Sequence, residues 1–165
     1  MKILPFEQNS VEWMQARAGI PTASEFDNLI SPTWKIRTGE MPQTYLAAKL
    51  AEAWLGGPEI GFNTFDADQG RILEEEARPW LELELDIPIS RIGLCTTDDG
   101  RVGCSPDGIV STGIGTAQPN FGVEIKCPQA RTHVKYLLKE PVPPEYLAQI
   151  HGGMYVTGFK SWKFL

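Results

Sequence analysis

Several common functions are excluded by what this sequence lacks. Its three cysteines, Cys95, Cys104 and Cys127, are an odd number without metal-type spacing. That argues against a disulfide framework or a zinc site and for free thiols in a reducing compartment. The two histidines, His133 and His151, do not supply the His/Cys ligand pattern of a zinc hydrolase. Each reads as a packing or DNA-proximal residue instead of a metal ligand or general base. No run of about 18 apolar residues occurs, so no membrane span is expected. The N-terminus, Met1 to Glu7, has no long apolar region and no cleavage signature, which points away from secretion and towards the cytoplasm. Cations are also short: 15 Lys and Arg stand against 21 Asp and Glu, a net charge of −6. That balance leans against DNA as a partner, because phosphate binding favours Lys and Arg. A local basic channel and metal-binding carboxylates remain compatible with it.

The remaining composition is that of an ordinary soluble chain. Its 165 residues, 42% hydrophobic and 22% charged, suit one domain with a sizeable core. The order of elements reads helical, then mixed, then helical. A capping box at Asn9 to Glu12 opens a short helix to Ala18, with Gly19 as its stop. Thr22-Ala23-Ser24-Glu25 is a second capping box, opening a helix to about Ile30. Thr33 to Met41 reads as a loop. A third helix follows Pro42, with Tyr45, Leu46, Leu50 and Trp54 on one face and Gly56-Gly57 as its end. Asp66 to Gln69 caps a fourth, running through Leu73, Ala77, Trp80 and Leu81 with a kink or restart at Pro79. Strands are expected at Ile89–Thr96, Val102–Ser105, Gly108–Ser111 and Phe121–Cys127. Asp98-Asp99-Gly100 supplies a hairpin turn, and Gly113 to Asn120 a flexible loop. Helices near Thr132–Leu138 and Pro144–Thr157 lead to a last strand at Ser161–Leu165. Helices around a small mixed central sheet give an α/β class.

The chemistry concentrates in Ser105-Pro106-Asp107-Gly108 and, further on, Glu124-Ile125-Lys126. Side chains alternate faces along a strand, so Glu124 and Lys126 share one face and Ile125 enters the opposite layer. Charged groups on an otherwise apolar strand need partners. Asp107, Glu124 and the Ile125 carbonyl are oxygen ligands of the kind Mg²⁺ takes. Lys126 would then position the attacking water and stabilise charge in the transition state. The bland alternative is a structural Glu–Lys pair beside a plain Pro-Asp-Gly turn.

Pro-Asp followed by Glu-x-Lys resembles the signature of the PD-(D/E)XK nuclease superfamily. The order of Trp13, Arg17-Ala18-Gly19-Ile20, Thr22-Ala23-Ser24, Gly70 through Glu74 to Arg78, Cys104 to Gly108, Glu124 to Pro128 and Tyr146 to Gln149 is similar to the phage lambda exonuclease (YqaJ-like viral recombinase) family. The resemblance implies a restriction-endonuclease-like core and a 5′→3′ exonuclease on linear double-stranded DNA that leaves 3′ overhangs. It also implies two Mg²⁺ ions with Mn²⁺ as a substitute, a homotrimeric ring, and a single-strand annealing protein as partner. By this resemblance Asp107 and Glu124 bind metal and Lys126 is the catalytic lysine. Glu74 and Gln149 join the site from helices, although an acidic run and a lone helical Gln have plainer readings. Arg17 and Ser24 would hold a terminal phosphate, with Ser105 as a helper. Arg17 suits a bidentate phosphate contact, and the helix start at Thr22 offers free N–H groups to an anion. Residues 1–165 are expected to form a single nuclease domain lacking C-terminal strand and helix elements that family members usually carry. Two other readings stay open: a structure-specific endonuclease of the same superfamily, and a non-catalytic DNA-binding or interaction module.

Overall fold

Among the described residues, two three-stranded sheets lie among five α-helices and one 3-10 helix. The computed structural model describes residues 1–58, 65–111, 120–138 and 142–165, with the backbone only for 65–71. The expected loop at Gly113 to Asn120 therefore falls almost wholly outside the described residues.

The first sheet joins β1 (Lys2–Leu4), β2 (Leu94–Thr96) and β3 (Gly103–Cys104), all antiparallel. The Asp98-Asp99-Gly100 turn closes the β2–β3 hairpin, with Gly100 at φ 74° and Thr97 N donating to Val102 O at 2.9 Å. Strand β1 has no sequence signal, because it is three residues long and mostly exposed. The second sheet joins β4 (Gly108–Val110), β5 (Phe121–Glu124) and β6 (Trp162–Phe164). Strand β5 pairs antiparallel with β4 and parallel with β6. A bridge between Ser90 and Ile109 ties the segment before β2 to the second sheet. The long strand expected at Ile89–Thr96 is thus only its last three residues, because Pro88 to Gly93 makes a single bridge instead of a ladder.

Helix α1 (Val11–Arg17) starts at Ser10, whose hydroxyl accepts from Trp13 N. Helices α4 (Ala130–Leu137) and α5 (Pro144–Thr157) match their expected places. Helix α3 (Phe65–Leu85) runs through Pro79 without restarting. Of its expected apolar stripe only Leu81 is buried and Ala77 partly so; Leu73 and Trp80 are exposed. Leu81 packs on Val110, Phe121, Val123 and Ile125, so Ile125 does enter the layer opposite Glu124.

Two helical expectations are corrected. The segment after Thr22 is a six-residue 3-10 helix, Ala23–Asn28, not an α-helix. Thr22 makes no side-chain cap; its hydroxyl donates to Glu25 Oε2 at 2.8 Å and accepts from Arg17 Nη2 at 2.9 Å. In α2 (Glu40–Leu55) most of the expected face is turned outward: Tyr45 is buried, but Leu46, Leu50 and Trp54 are 47%, 57% and 84% exposed. Pro42 and Lys49 are buried beside Tyr45. The surface α2 packs against carries the carboxylate of Glu25, which accepts from Tyr45 and Lys49 and so selects the polar side of the helix.

Candidate active site

The β4–β5 register sets Gly108 opposite Val123, which brings Asp107 beside Glu124. Asp107 N donates to Val123 O at 3.0 Å, and Ile125 N donates to Asp107 Oδ2 at 2.6 Å. The ladder continues past β5: Leu165 N donates to Glu124 O, and Lys126 N to Leu165 O. Alternation then puts Glu124 and Lys126 on one face, with Lys126 Nζ 2.5 Å from Glu124 Oε1. Helix α5 adds Gln149, whose Nε2 donates to the same Oε1 at 2.5 Å. One turn earlier, its Tyr146 ring lies 5.9 Å from Lys126 Nζ.

Helix α5 comes this close because Gly152 and Gly153 have no side chain to hold it off. A Cβ on Gly153 would stand 2.5 Å from the Trp162 ring, and one on Gly152 2.7 Å from Phe26.

Glu124 is 3% exposed. Burial pushes its carboxyl up to about 7; the Asp107 charge adds to this and Lys126 opposes it. Burial likewise raises Asp107, against the pull of Lys126. Burial alone would lower the Lys126 ammonium, but the carboxylates of Glu124 and Asp107 outweigh it and hold the group above its ordinary value. Two carboxyls out of water with one cation between them still favour a further positive charge.

Glu74 and Asp107 line one cleft of about 450 Å³, together with Phe6, Gln8, Arg78 and Arg91. Among the described residues, however, no three His, Cys, Asp or Glu gather closely enough to hold a metal ion. Glu74 therefore faces the same space as Asp107 without closing into a three-carboxylate cluster.

The residues expected at a terminal phosphate also converge. Arg17 Nη2 donates to Thr22 Oγ1 at 2.9 Å and lies 3.5 Å from Ser24 Oγ. Its guanidinium sits 4.1 Å over the Trp13 ring. The Trp13 indole N–H reaches Ser105 Oγ at 3.0 Å and Gly93 O at 2.8 Å. Thr22 is 1% exposed with its proton spent on Glu25, so it backs this group and does not front it. Ser24, Ser105, Glu124 and Gln149 line a single small cleft.

The sequence profile of the YqaJ-like viral recombinase domain matches residues 12–160. The chain belongs to that family. Its fold is similar to two solved structures of LHK-Exo, an alkaline exonuclease from Laribacter hongkongensis, one of them in complex with dAMP. Each superposes with a TM-score of 0.79 at 28% identity, over 94% of this chain and 72% of that one. No curated protein matches the chain. The fold is restriction-endonuclease-like, and this YqaJ-like domain is a deoxyribonuclease of the exonuclease type.

Sequence reasoning missed several residues that hold this YqaJ-like site together. Gln8 Nε2 donates to Pro106 O at 2.9 Å and to Ile92 O at 2.8 Å, and Arg78 Nε donates to Asp107 O at 3.0 Å. The Pro106-Asp107 turn is thus held from two sides. Arg78 left a faint signal, one helical turn after Glu74; Gln8 left none. Neither histidine is among these residues: His133 lies in the first turn of α4, its backbone N donating to Gln129 O, and His151 packs edge-on against Trp34. Cys95 and Cys104 are buried free thiols, and Cys127 is a half-buried one. Among the described residues no helix is long and apolar enough to cross a membrane.

Proposed function

We propose that this domain is a Mg²⁺-dependent exonuclease that degrades the 5′-ended strand of linear duplex DNA and leaves 3′ overhangs. The observation that carries the proposal is the shared cleft of Ser24, Ser105, Glu124 and Gln149. Ser24 and Ser105, tied to Arg17 directly and through Trp13, thus lie beside Glu124 and Gln149, so an end held by the first group would be cut by the second and cleavage would be counted from that end.

The donor chemistry fits a hard divalent cation: two carboxyls raised by burial, with hard oxygens as ligands. Asp107, Glu124 and the Ile125 carbonyl would hold it, and Glu74 would serve a second ion from the wall of the larger cleft. Mn²⁺ has the same oxygen preference and would substitute. When bound, such ions lower the pKa of water and screen phosphate charge. Lys126 keeps its proton on Nζ, orients the attacking water and stabilises negative charge as it develops on the scissile phosphate. Gln149 fixes the Glu124 carboxylate through its 2.5 Å hydrogen bond. Arg17, Ser24 and Ser105 bind the 5′ phosphate, with Arg17 supplying the charge-assisted bonds. A homotrimeric ring and a single-strand annealing partner belong to the same reading and rest on the family resemblance.

The deciding experiment uses linear duplex labelled at either the 5′ or the 3′ end, with Mg²⁺, with Ca²⁺ and with EDTA. Release of the 5′ label first, and only with Mg²⁺, is expected. Release of the 3′ label first overturns the polarity. Cutting of covalently closed circles overturns the exonuclease reading.

A further inference from the structure

Behind Arg17 lies a partly buried charged cluster, centred on Lys49, that neither the motifs nor the cutting residues call for. Lys49 of α2 is 9% exposed, and its Nζ pairs with Glu25 Oε1 at 3.0 Å and Glu52 Oε2 at 3.1 Å. Glu52 Oε2 also accepts from Gly19 N at 2.9 Å, just past the end of α1. Glu25 Oε2 accepts from Thr22 Oγ1 at 2.8 Å and from Tyr45 OH at 3.3 Å. Arg17 Nη2 donates to that same Thr22 Oγ1.

The direction of these bonds follows from donor accounting. A hydroxyl has one proton. An ionised carboxylate only accepts, so Glu25 takes the Thr22 proton, and the Thr22 oxygen is left with lone pairs facing Arg17. Burial works against the ionised form of Glu25, but the hydrogen bonds from Thr22 and Lys49 and the charges of Lys49 and Arg17 hold its carboxyl below its ordinary value. One guanidinium nitrogen is thereby anchored to protein, and the guanidinium carbon is held 4.1 Å over the Trp13 ring. Arg17 meets a ligand already held at two points, which reduces the entropy lost on binding.

We propose that Glu25, held by Lys49, is a positioning residue that orients Arg17 towards a terminal phosphate through the Thr22 hydroxyl. This rests on the reading of Arg17 as the phosphate-binding residue. Replacing Lys49 or Glu25 leaves Arg17 itself intact but frees its orientation, so the loss falls on phosphorylated ends.

The test compares kcat/KM on 5′-phosphorylated and 5′-hydroxyl linear duplexes for the wild type, Arg17→Ala, Glu25→Gln, Lys49→Met and Lys49→Arg. Glu25→Gln and Lys49→Met are expected to lower the phosphate preference about fivefold to tenfold, the scale of one ordered hydrogen bond. The loss should appear in KM for the phosphorylated end, and Lys49→Arg should restore the preference. If Glu25→Gln does not fold, the Lys49 pair decides the matter by the same ratio. An unchanged ratio, or equal loss on both substrates with no rescue by Lys49→Arg, overturns the proposal. If Arg17→Ala also keeps the wild-type ratio, the phosphate-pocket reading fails instead. If Arg17→Ala abolishes the preference while the Glu25 and Lys49 variants keep it, only the positioning role fails.

Discussion

Gln149 and Lys126 share one acceptor: the amide N–H of the first and the ammonium of the second both lie 2.5 Å from Oε1 of Glu124. A buried carboxylate oxygen with two donors is fixed in direction, and the donors offset part of the cost that burial puts on its ionised form. If Gln149 sets this carboxylate for metal binding, Gln149→Leu should weaken metal-dependent cleavage about tenfold or more, as for residues that orient a metal ligand. The apparent Mg²⁺ requirement should rise in step. A variant with lower activity but an unshifted Mg²⁺ titration would place Gln149 on the substrate and not on Glu124.

Lys126→Ala should leave binding of duplex ends intact and reduce hydrolysis by about 10²-fold or more, the scale of losing a charge-stabilising donor in a site shielded from water. Gel-shift binding in Ca²⁺ and single-turnover cleavage in Mg²⁺ separate the two effects. Full activity in the variant would refute the assignment.

If Glu124 is a metal ligand, protons and Mg²⁺ should compete for it. Burial raises its carboxyl to about 7, so below that pH the group holds a proton and cannot act as an anionic ligand. At low Mg²⁺, activity should therefore fall as pH drops through about 7. The midpoint should move to lower pH as Mg²⁺ is raised, because ligation favours the ionised form. A midpoint insensitive to Mg²⁺ would mean that another group controls the acid limb.

Arg17→Ala should slow digestion of 5′-phosphorylated ends about tenfold or more, the scale of a charge-assisted bidentate contact, while 5′-hydroxyl ends change far less. Equal loss on both ends would remove the phosphate pocket.

Gly153→Ala should destabilise the protein by about 1–3 kcal/mol through overpacking. The added Cβ would stand 2.5 Å from the Trp162 ring, so α5 or β6 must shift. Thermal melting reads the stability. Because α5 carries Gln149, cleavage should fall with it, and a melting point equal to the wild type would show that the ring gives way freely.

The sequence by itself determined the local chemistry. Strand alternation is a property of any extended chain, so Glu124 and Lys126 on one face and Ile125 in the core were legible from three adjacent letters. The span of α5 from Pro144 to Thr157 was equally local, and so was the hairpin turn at Gly100. Tertiary structure decided everything that depends on which surface meets which. Helix α2 turns Lys49 inward and Leu50 and Trp54 outward, because a charged partner at Glu25 outweighs the apolar stripe that periodicity favours. The segment after Thr22 winds as a 3-10 helix, and the Thr22 hydroxyl bonds the side chains of Glu25 and Arg17 instead of capping it. Gln8 and Arg78 clamp the Asp107 turn across 98 and 29 positions of chain, contacts that no local pattern encodes. The shared face of Glu124 and Lys126 could be read from the sequence because strand geometry repeats every two residues, whereas Asp107 joined them only through the Pro-Asp and Glu-x-Lys signature. The grip of all three on their surroundings could not, because it is made by residues that only folding brings together.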